Sequence, residues 1–208
     1  MAKKKSLSRP AKVFWGLLAA VVIAITGIWG YNRYMQKKKV DQLYQHGFQL
    51  LEEQIATYIK ENYSGVSKIE FSPIFISGDG QHSFLNLDVV PVVYDEYGNR
   101  ALLGRKIGNT MYGRYGFPTD FYVLELGSDA EEIIYLASSR SGEEIDVSDT
   151  IILPEEAKLG TAPALDDNIF ALIDNNQLKG IEKNSEGSPD VEIVYNLEIK
   201  KGDYAQWH

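Results

Sequence analysis

Residues 40–71 read VDQLYQHGFQLLEEQIATYIKENYSGVSKIEF, and the spacing of apolar residues changes within this stretch. Over residues 40–62 they recur every three or four positions, which predicts an amphipathic helix. The stripe consists of Leu43, Gly47, Leu50, Leu51, Gln54, Ile55, Tyr58 and Ile59. Ser64 and Gly65 end the helix, and from Val66 to Phe71 the period is two, as in a strand. The stretch therefore predicts a long helix followed directly by a sheet.

The sequence after residue 71 predicts mostly strands. The longest candidate is Ser83–Tyr94, in which Pro91 marks an edge position or a bulge. One further helix is expected at Asp167–Leu178, capped by Asp166. The other strand candidates are Arg100–Leu103, Asp120–Leu126, Glu131–Ala137, Thr150–Leu153 and Asp190–Lys200. This order predicts an α+β domain over residues 40–208, with the long helix packed on a curved, mostly antiparallel meander. The layout resembles that of cystatin-like folds.

Before this domain lies an apolar run, Val13–Tyr31, which contains no charged residue. A helix of this length reaches about 30 Å, the thickness of the hydrocarbon layer of a bilayer. The alternatives are a buried core helix and a cleaved signal peptide. A core helix of this length normally has polar residues on one face, which this run lacks. The candidate cleavage sites at Gly27 and Gly30 have Ile25 and Ile28 where a signal peptide requires small residues. We therefore predict a single transmembrane helix that is retained as an anchor.

The basic residues around the run indicate its orientation. Five precede it in residues 1–12, and four follow it in residues 32–39. This small excess favours a cytoplasmic tail at 1–12, and the pattern of a short basic tail before one apolar run is typical of export signals. Residues 32–39 then form a basic juxtamembrane segment, and 40–208 an extracytoplasmic domain at the cell membrane.

The charge of the chain is divided unevenly. Residues 1–39 contain nine Lys and Arg and no acids, whereas residues 40–208 contain 12 basic and 29 acidic residues, a net charge of −17. An acidic domain repels a phosphate backbone, so nucleic acid is not expected as a partner. The same charge gives solubility, and it would attract a basic protein.

No catalytic or metal-binding pattern emerges from the residues that usually carry such chemistry. The chain has no Cys and three His, namely His46, His82 and His208, without metal-ligand spacing. Asp174-Asn175-Asn176 resembles the start of a calcium loop, but Lys179 stands where that loop needs Gly. We therefore expect no cofactor, no metal and no catalytic residue.

The segment from Arg100 to Pro118 is the strongest candidate for a binding surface. It reads RALLGRKIGNTMYGRYGFP and contains a third of the basic residues of the acidic domain. Arg and aromatic side chains are enriched at binding hot spots. The candidate partner-binding residues are Arg100, Arg105, Lys106, Tyr112, Arg114, Tyr115 and Phe117. The alternative is a long hairpin loop whose aromatic residues pack on the core and whose cations pair with acids.

The stretch YIKENYSGVSKIEF, residues 58–71, resembles a recurrent opening of small exported or membrane-anchored α+β proteins of Gram-positive bacteria. In those proteins a helix ends in a Tyr-x-x-x-Asn-Tyr pattern, here Tyr58, Asn62 and Tyr63, before a first strand like Val66–Phe71. Some of them resemble immunity proteins against toxins. The resemblance implies an envelope location and this fold.

Together these features predict a membrane-anchored, extracytoplasmic module that binds another protein. An immunity or inhibitor protein is the sharpest form of this hypothesis, and an envelope accessory subunit is the broader one. The alternatives are a cell-envelope hydrolase that uses carboxylates, and a structural scaffold or spacer.

Overall fold

The computed structural model describes residues 9–78, 85–117, 125–126, 133–137 and 144–208, and it gives only the backbone of residues 9–25, 27, 28, 125 and 126. The described residues form two compact units, one ending at Gln42 and the other beginning at Leu43. The described strands lie in the unit that begins at Leu43.

The first helix, α1, spans Arg9–Asn62 and confirms the helix predicted over residues 40–62. It begins earlier than that prediction because no proline lies between residues 11 and 62 to interrupt it. Within the residues whose side chains the structure describes, no helix is long and apolar enough to cross a membrane. For most of the predicted anchor, Val13–Tyr31, the structure describes only the backbone, so the anchor remains a prediction.

Within the unit that begins at Leu43, α1 is enclosed by the rest of the chain. Leu51, Ile55 and Ile59 of the predicted stripe are fully buried. Phe48 and Ala56, outside that stripe, are fully buried as well. The helix is therefore covered on more than one side, and it lies in the main hydrophobic core together with strand residues.

Two sheets of four strands each pack on α1, and they are joined end to end. One has the strand order β14-β2-β5-β6, and the other β15-β3-β4-β9. Three small sheets accompany them, pairing β1 with β13, β7 with β8, and β10 and β12 with β11. The strands are β1 (Tyr63–Ser64), β2 (Val66–Phe71), β3 (Ile74–Ser77), β4 (Asn86–Val89), β5 (Pro91–Asp95), β6 (Arg100–Leu102), β7 (Lys106–Ile107), β8 (Thr110–Met111), β9 (Tyr115–Phe117), β10 (Glu125–Leu126), β11 (Ile134–Ala137), β12 (Glu144–Asp146), β13 (Glu182–Lys183), β14 (Glu192–Val194) and β15 (Ile199–Lys201).

The α+β class and the antiparallel-rich sheets are as predicted, but the chain is not a simple meander. β14 pairs parallel to β2, and β15 pairs parallel to β3. The last long strand therefore returns to lie beside the first one. The remaining pairings among the described strands are antiparallel.

Both long predicted strands are interrupted where the two large sheets join. The candidate Ser83–Tyr94 breaks at Val90, and Pro91 begins β5 in the interior of a sheet instead of at an edge. Residues 83 and 84 of that candidate lie outside the described part of the chain. The candidate Asp190–Lys200 breaks at residues 195–198, between β14 and β15.

A buried serine connects the backbones at this junction. Ser72 N–H donates to Val90 O over 3.0 Å, and Val90 N–H donates to Ser72 Oγ over 2.8 Å. The Ser72 hydroxyl donates in turn to Pro73 O. Pro73 and Pro91 have no N–H to donate at this junction, and the Ser72 Oγ is the acceptor for the N–H of Val90.

The second helix, α2, spans Pro163–Asp174, and its start differs from the prediction. Ala162 is the residue at its amino-terminal cap, and Asp166 lies one turn inside the helix instead of capping it. Pro163 at the first helical position was the signal for the observed start. Two short 3₁₀ helices lie at Glu155–Ala157 and Tyr204–Gln206.

The predicted strand Thr150–Leu153 is wrong, since this segment is irregular. Its backbone groups bond to side chains of α1 instead of to a strand: Gln49 donates to Ile151 O, and Glu53 accepts from Leu153 N–H. Strands are present at the carboxyl ends of the predicted Asp120–Leu126 and Glu131–Ala137, as β10 and β11. Residues 120–124 and 131–132 lie outside the described part.

Candidate binding site

The large sheets have an outer face, which we define as the face opposite α1. The cross-strand row Ile69, Val93 and Ala101 belongs to the core around α1. Side chains alternate along a strand, so the neighbouring row, Lys68, Tyr94 and Arg100, lies on the outer face. The same alternation places Phe75 and Asp88, which face each other across β3 and β4, on the outer face.

A polar network covers one part of the outer face. The Tyr94 hydroxyl donates to Glu70 Oε2 over 2.8 Å and accepts from Arg100 Nε over 3.1 Å. Lys68 lies 3.4 Å from Glu70 and stacks over the Tyr94 ring. The hydrogen bond from Tyr94 lowers the pKa of Glu70, so this carboxylate is ionised at neutral pH.

The other part of the outer face is apolar, and the chain covers it with its own last residues. Phe75 and Val90 are buried there against Tyr204, in a small cluster that is separate from the main core. Leu102 and Trp207 pack around this cluster. We call the covering segment, residues 202–208, the strap, and the apolar surface under it the groove.

Two arginines hold the strap on the sheet. Arg105 Nη2 donates to the backbone oxygens of Tyr204, over 2.5 Å, and of Trp207, over 2.9 Å. Its guanidinium also lies 5.0 Å from the centre of the Tyr204 ring. Arg100 lies over the Trp207 ring at 5.3 Å. Gly202 N–H extends the sheet by one hydrogen bond, to Ile76 O.

An ion pair with a buried carboxylate lies beside the groove. Arg114 Nη1 is 3.0 Å from Asp88 Oδ2, and the Asp88 side chain is only 2% exposed. Asp88 Oδ1 has no hydrogen-bond partner. Burial raises the pKa of Asp88 to about 6, although Arg114 acts in the opposite direction.

Six of the seven predicted binding residues divide into three groups. Arg100 and Arg105 contact the strap, as described above. Tyr115 is buried and donates to Asn168 Oδ1 over 3.2 Å, while Tyr112 and Phe117 pack against the main core. Arg114 pairs with Asp88. The alternative interpretation, with aromatic residues on the core and cations paired with acids, therefore describes the three aromatic residues and Arg114.

Lys106 is the remaining member of the set, and it is exposed. It lines a cleft of about 220 Å³ next to the strap, together with Leu102, Arg105, Ile107, Gln177, Ala205 and His208. Two cations, Arg105 and Lys106, thus meet at one end of the groove.

The described residues also contain a polar cluster around Asp166 of α2, whose carboxylate is buried. The hydroxyl of Tyr63 donates to Asp166 Oδ1 over 2.6 Å, and that of Tyr58 lies 3.0 Å from both carboxylate oxygens. Lys183 Nζ lies 2.5 Å from Asp166 Oδ2 and 3.2 Å from the Tyr58 hydroxyl. One lysine and two phenols thereby satisfy a single carboxylate.

The protonation states in this cluster are those of a stabilising network. Burial raises the pKa of Tyr58 and of Tyr63. Burial alone would lower the pKa of Lys183, but its bonds to Asp166 and Tyr58 outweigh this effect and raise it. All three side chains therefore keep their protons at neutral pH.

Two other conspicuous side chains are structural as well. Glu52 on α1 is fully buried, and burial raises its pKa to about 9, so it is neutral at pH 7. Its side chain has no exposed surface. His46 bonds to Thr150 O over 2.5 Å, and His82 lies outside the described residues. Among the described residues, no group of three or more His, Cys, Asp or Glu is arranged to hold a metal ion.

Sequence reasoning found the arginines of this surface but missed the strap. Tyr204 and Trp207 were not predicted as part of it, although two aromatic residues three positions apart at the end of an acidic domain were a visible signal. No family model matches the chain, and neither a curated protein nor a solved structure is significantly similar to it.

Proposed function

We propose that this chain is a membrane-tethered module that binds another protein outside the cytoplasm. The observation that carries the proposal is the outer face of the sheet, where Arg100, Arg105 and Lys106 lie beside Tyr94 and Trp207. Arginine and large aromatic side chains are the residues that contribute most to protein interfaces. This surface already binds one peptide segment, the strap.

The location is proposed from the sequence. The apolar run Val13–Tyr31 between two basic segments is typical of a single-pass anchor, with the acidic domain on the outside. A cystatin-like relationship, a helix across a curved sheet, belongs to the same proposal. An immunity or inhibitor protein is the most specific role that fits, and an envelope accessory subunit is the broader one.

Site-specific photo-cross-linking in intact protoplasts tests the proposal. A photoreactive amino acid that replaces Lys106 should capture one discrete partner, because position 106 is exposed beside the groove. The same amino acid at Glu156 is the matched control. Glu156 is exposed too, but it lies on the 3₁₀ helix Glu155–Ala157, which Gln54 of α1 holds by a hydrogen bond to Ala157 O.

Protease added to the same protoplasts should remove the domain. Protection of the domain until the membrane is lysed would contradict the proposed orientation. Equal capture from positions 106 and 156, or capture from neither, would contradict the proposed binding surface.

A further inference from the structure

We propose that the groove under the strap is a peptide-binding site, and that its partner is a segment with two aromatic side chains and a carboxylate that pairs with Arg105. In the structure the strap is the resident occupant, and the partner segment displaces it. This inference rests on the proposed function and names the part of the partner that is recognised.

The contacts of Arg105 explain why another peptide could replace the strap. Its hydrogen bonds go to the backbone oxygens of Tyr204 and Trp207, which every peptide possesses. The specific contacts are those of the two aromatic rings. Tyr204 packs on Phe75 and Val90, and Trp207 lies against Arg100. The groove therefore selects aromatic side chains three positions apart in a turn.

Arg105 also has no ion-pair partner among the described residues. It is half-buried, and none of the described carboxylates forms an ion pair with it. Burial lowers its pKa, and Tyr204 and Asp203 offset this only in part. A half-buried cation that has only neutral acceptors gains from a carboxylate, since an arginine–carboxylate pair adds the attraction between opposite charges and can form two parallel hydrogen bonds.

The surroundings of Arg105 leave room for such a carboxylate. The cleft of about 220 Å³ beside the strap is lined by both Arg105 and Lys106. An anion in this cleft would meet two cations in a domain that is otherwise strongly acidic. A peptide whose chain ended at the position of Trp207 would place its terminal carboxylate where the Trp207 oxygen now accepts from Arg105.

The strap can leave without opening the main core. Its apolar contacts belong to the separate cluster of Phe75, Val90 and Tyr204. Tyr204 is its buried residue, and Trp207 is half-buried, whereas the other five residues are exposed. Segments with few buried contacts open locally at a small fraction of the free energy of global unfolding.

Peptide binding to the full chain in nanodiscs tests the proposal. The variant Tyr204→Ala/Trp207→Ala releases the strap, and the probes are fluorescent peptides of sequence GDYAQW with a free carboxylate or a carboxamide end. By anisotropy, the released variant should bind the carboxylate peptide at least tenfold more tightly than the wild type does, because the competing strap is gone. The carboxamide peptide should bind at least fivefold more weakly than the carboxylate peptide.

Substitutions in the released variant provide the matched controls. Arg105→Ala should abolish the preference for the carboxylate peptide. Lys158→Ala removes a cation beside the 3₁₀ helix Glu155–Ala157, where it pairs with Glu155 at 2.7 Å, and should leave binding unchanged. Equal affinities for the two peptides would contradict the pairing of a carboxylate with Arg105. If the folded, released variant bound neither peptide, the groove would not be a peptide-binding site.

If the released variant does not fold, hydrogen exchange of the wild type tests whether the strap can leave the groove. The strap amides of Ala205 and Trp207 should exchange through local opening, well before the amides of Ile69 and Val93. Exchange of all four only by global unfolding would overturn the proposal. The two proposals fail differently. A partner that cross-links at position 106 but is not displaced by the peptide would support the protein-binding module and contradict the groove as its binding site.

Discussion

Glu52 shows at the scale of one residue how burial sets a pH dependence. Its Oε2 accepts from Asn196 N–H over 3.1 Å, while Oε1 is buried without a partner. Burial raises the pKa of this carboxyl from 4.5 to about 9. The folded state therefore holds a proton that the unfolded state releases above pH 4.5, and the free energy of unfolding falls as the pH rises towards 9.

We predict that Glu52→Gln removes this dependence. The amide keeps the acceptor for Asn196 and carries no charge, so the variant should gain stability relative to the wild type as pH rises. The gain should be on the order of 1 kcal/mol per pH unit. Urea unfolding at pH 5, 7 and 8.5 measures it. Glu53→Gln should keep the wild-type slope because Glu52 is still present, and a wild-type slope in Glu52→Gln would contradict the prediction.

The sequence revealed individual residues of the Asp166 cluster but not their association. The sequence places Tyr58 and Tyr63 at the end of the first helix, and it predicts Asp166 as a cap of the second one, where Ala162 stands instead. The hydroxyl of Tyr58 and the carboxylate it binds are 108 residues apart in the chain. Local spacing predicts where a side chain points on its own element, and it carries no information on a partner that only the tertiary fold supplies.

At the scale of elements, Ser72 holds the junction between the two large sheets. It is fully buried, and its Oγ is the acceptor for the N–H of Val90. Ser72→Ala should lower the free energy of unfolding by about 1–3 kcal/mol, because a buried N–H is left without an acceptor. Chemical denaturation followed by circular dichroism measures the change.

Ser67→Ala is the control for this prediction, since Ser67 lies on β2 but is exposed. Its hydroxyl donates to Asp95 O over 2.7 Å, and water can replace it there. The control should cost well under 1 kcal/mol. Similar losses in the two variants would mean that burial of the Val90 N–H does not determine the effect.

The elements that the sequence predicted well are those with a strong local period. The helix over residues 40–62 and the strand Val66–Phe71 carry such a period, and both are present at the predicted bounds or within a longer element. Thr150–Leu153 has the apolar residues of a strand, but its backbone bonds to Gln49 and Glu53 of α1. A run of four residues is too short for composition to distinguish these outcomes.

At the scale of the whole molecule, the sequence predicted the layers but not the closure of the sheet. The alternating residues of the last strand, 190–200, fit a parallel and an antiparallel neighbour equally well. The structure pairs β14 with β2 and β15 with β3, so the last strand lies beside the first. The strap follows from the same connection, because residue 202 continues β15 over the outer face.

This closure makes the domain depend on both of its ends. Backbone bonds from Ser188 N–H to Lys60 O and from Asn184 N–H to Asn62 O add to the strand pairing between the two ends.

We therefore predict that the fragment 40–208 unfolds in one two-state transition, with coinciding fluorescence and circular dichroism curves. The fragment 40–189 lacks β14 and β15 and should show no cooperative transition. The strap-released variant of fragment 40–208 is the control: it keeps both strands, so it should keep one transition at a lower midpoint. Two separate transitions in fragment 40–208, or cooperative unfolding of fragment 40–189, would show that the last strand is added to a domain already complete without it.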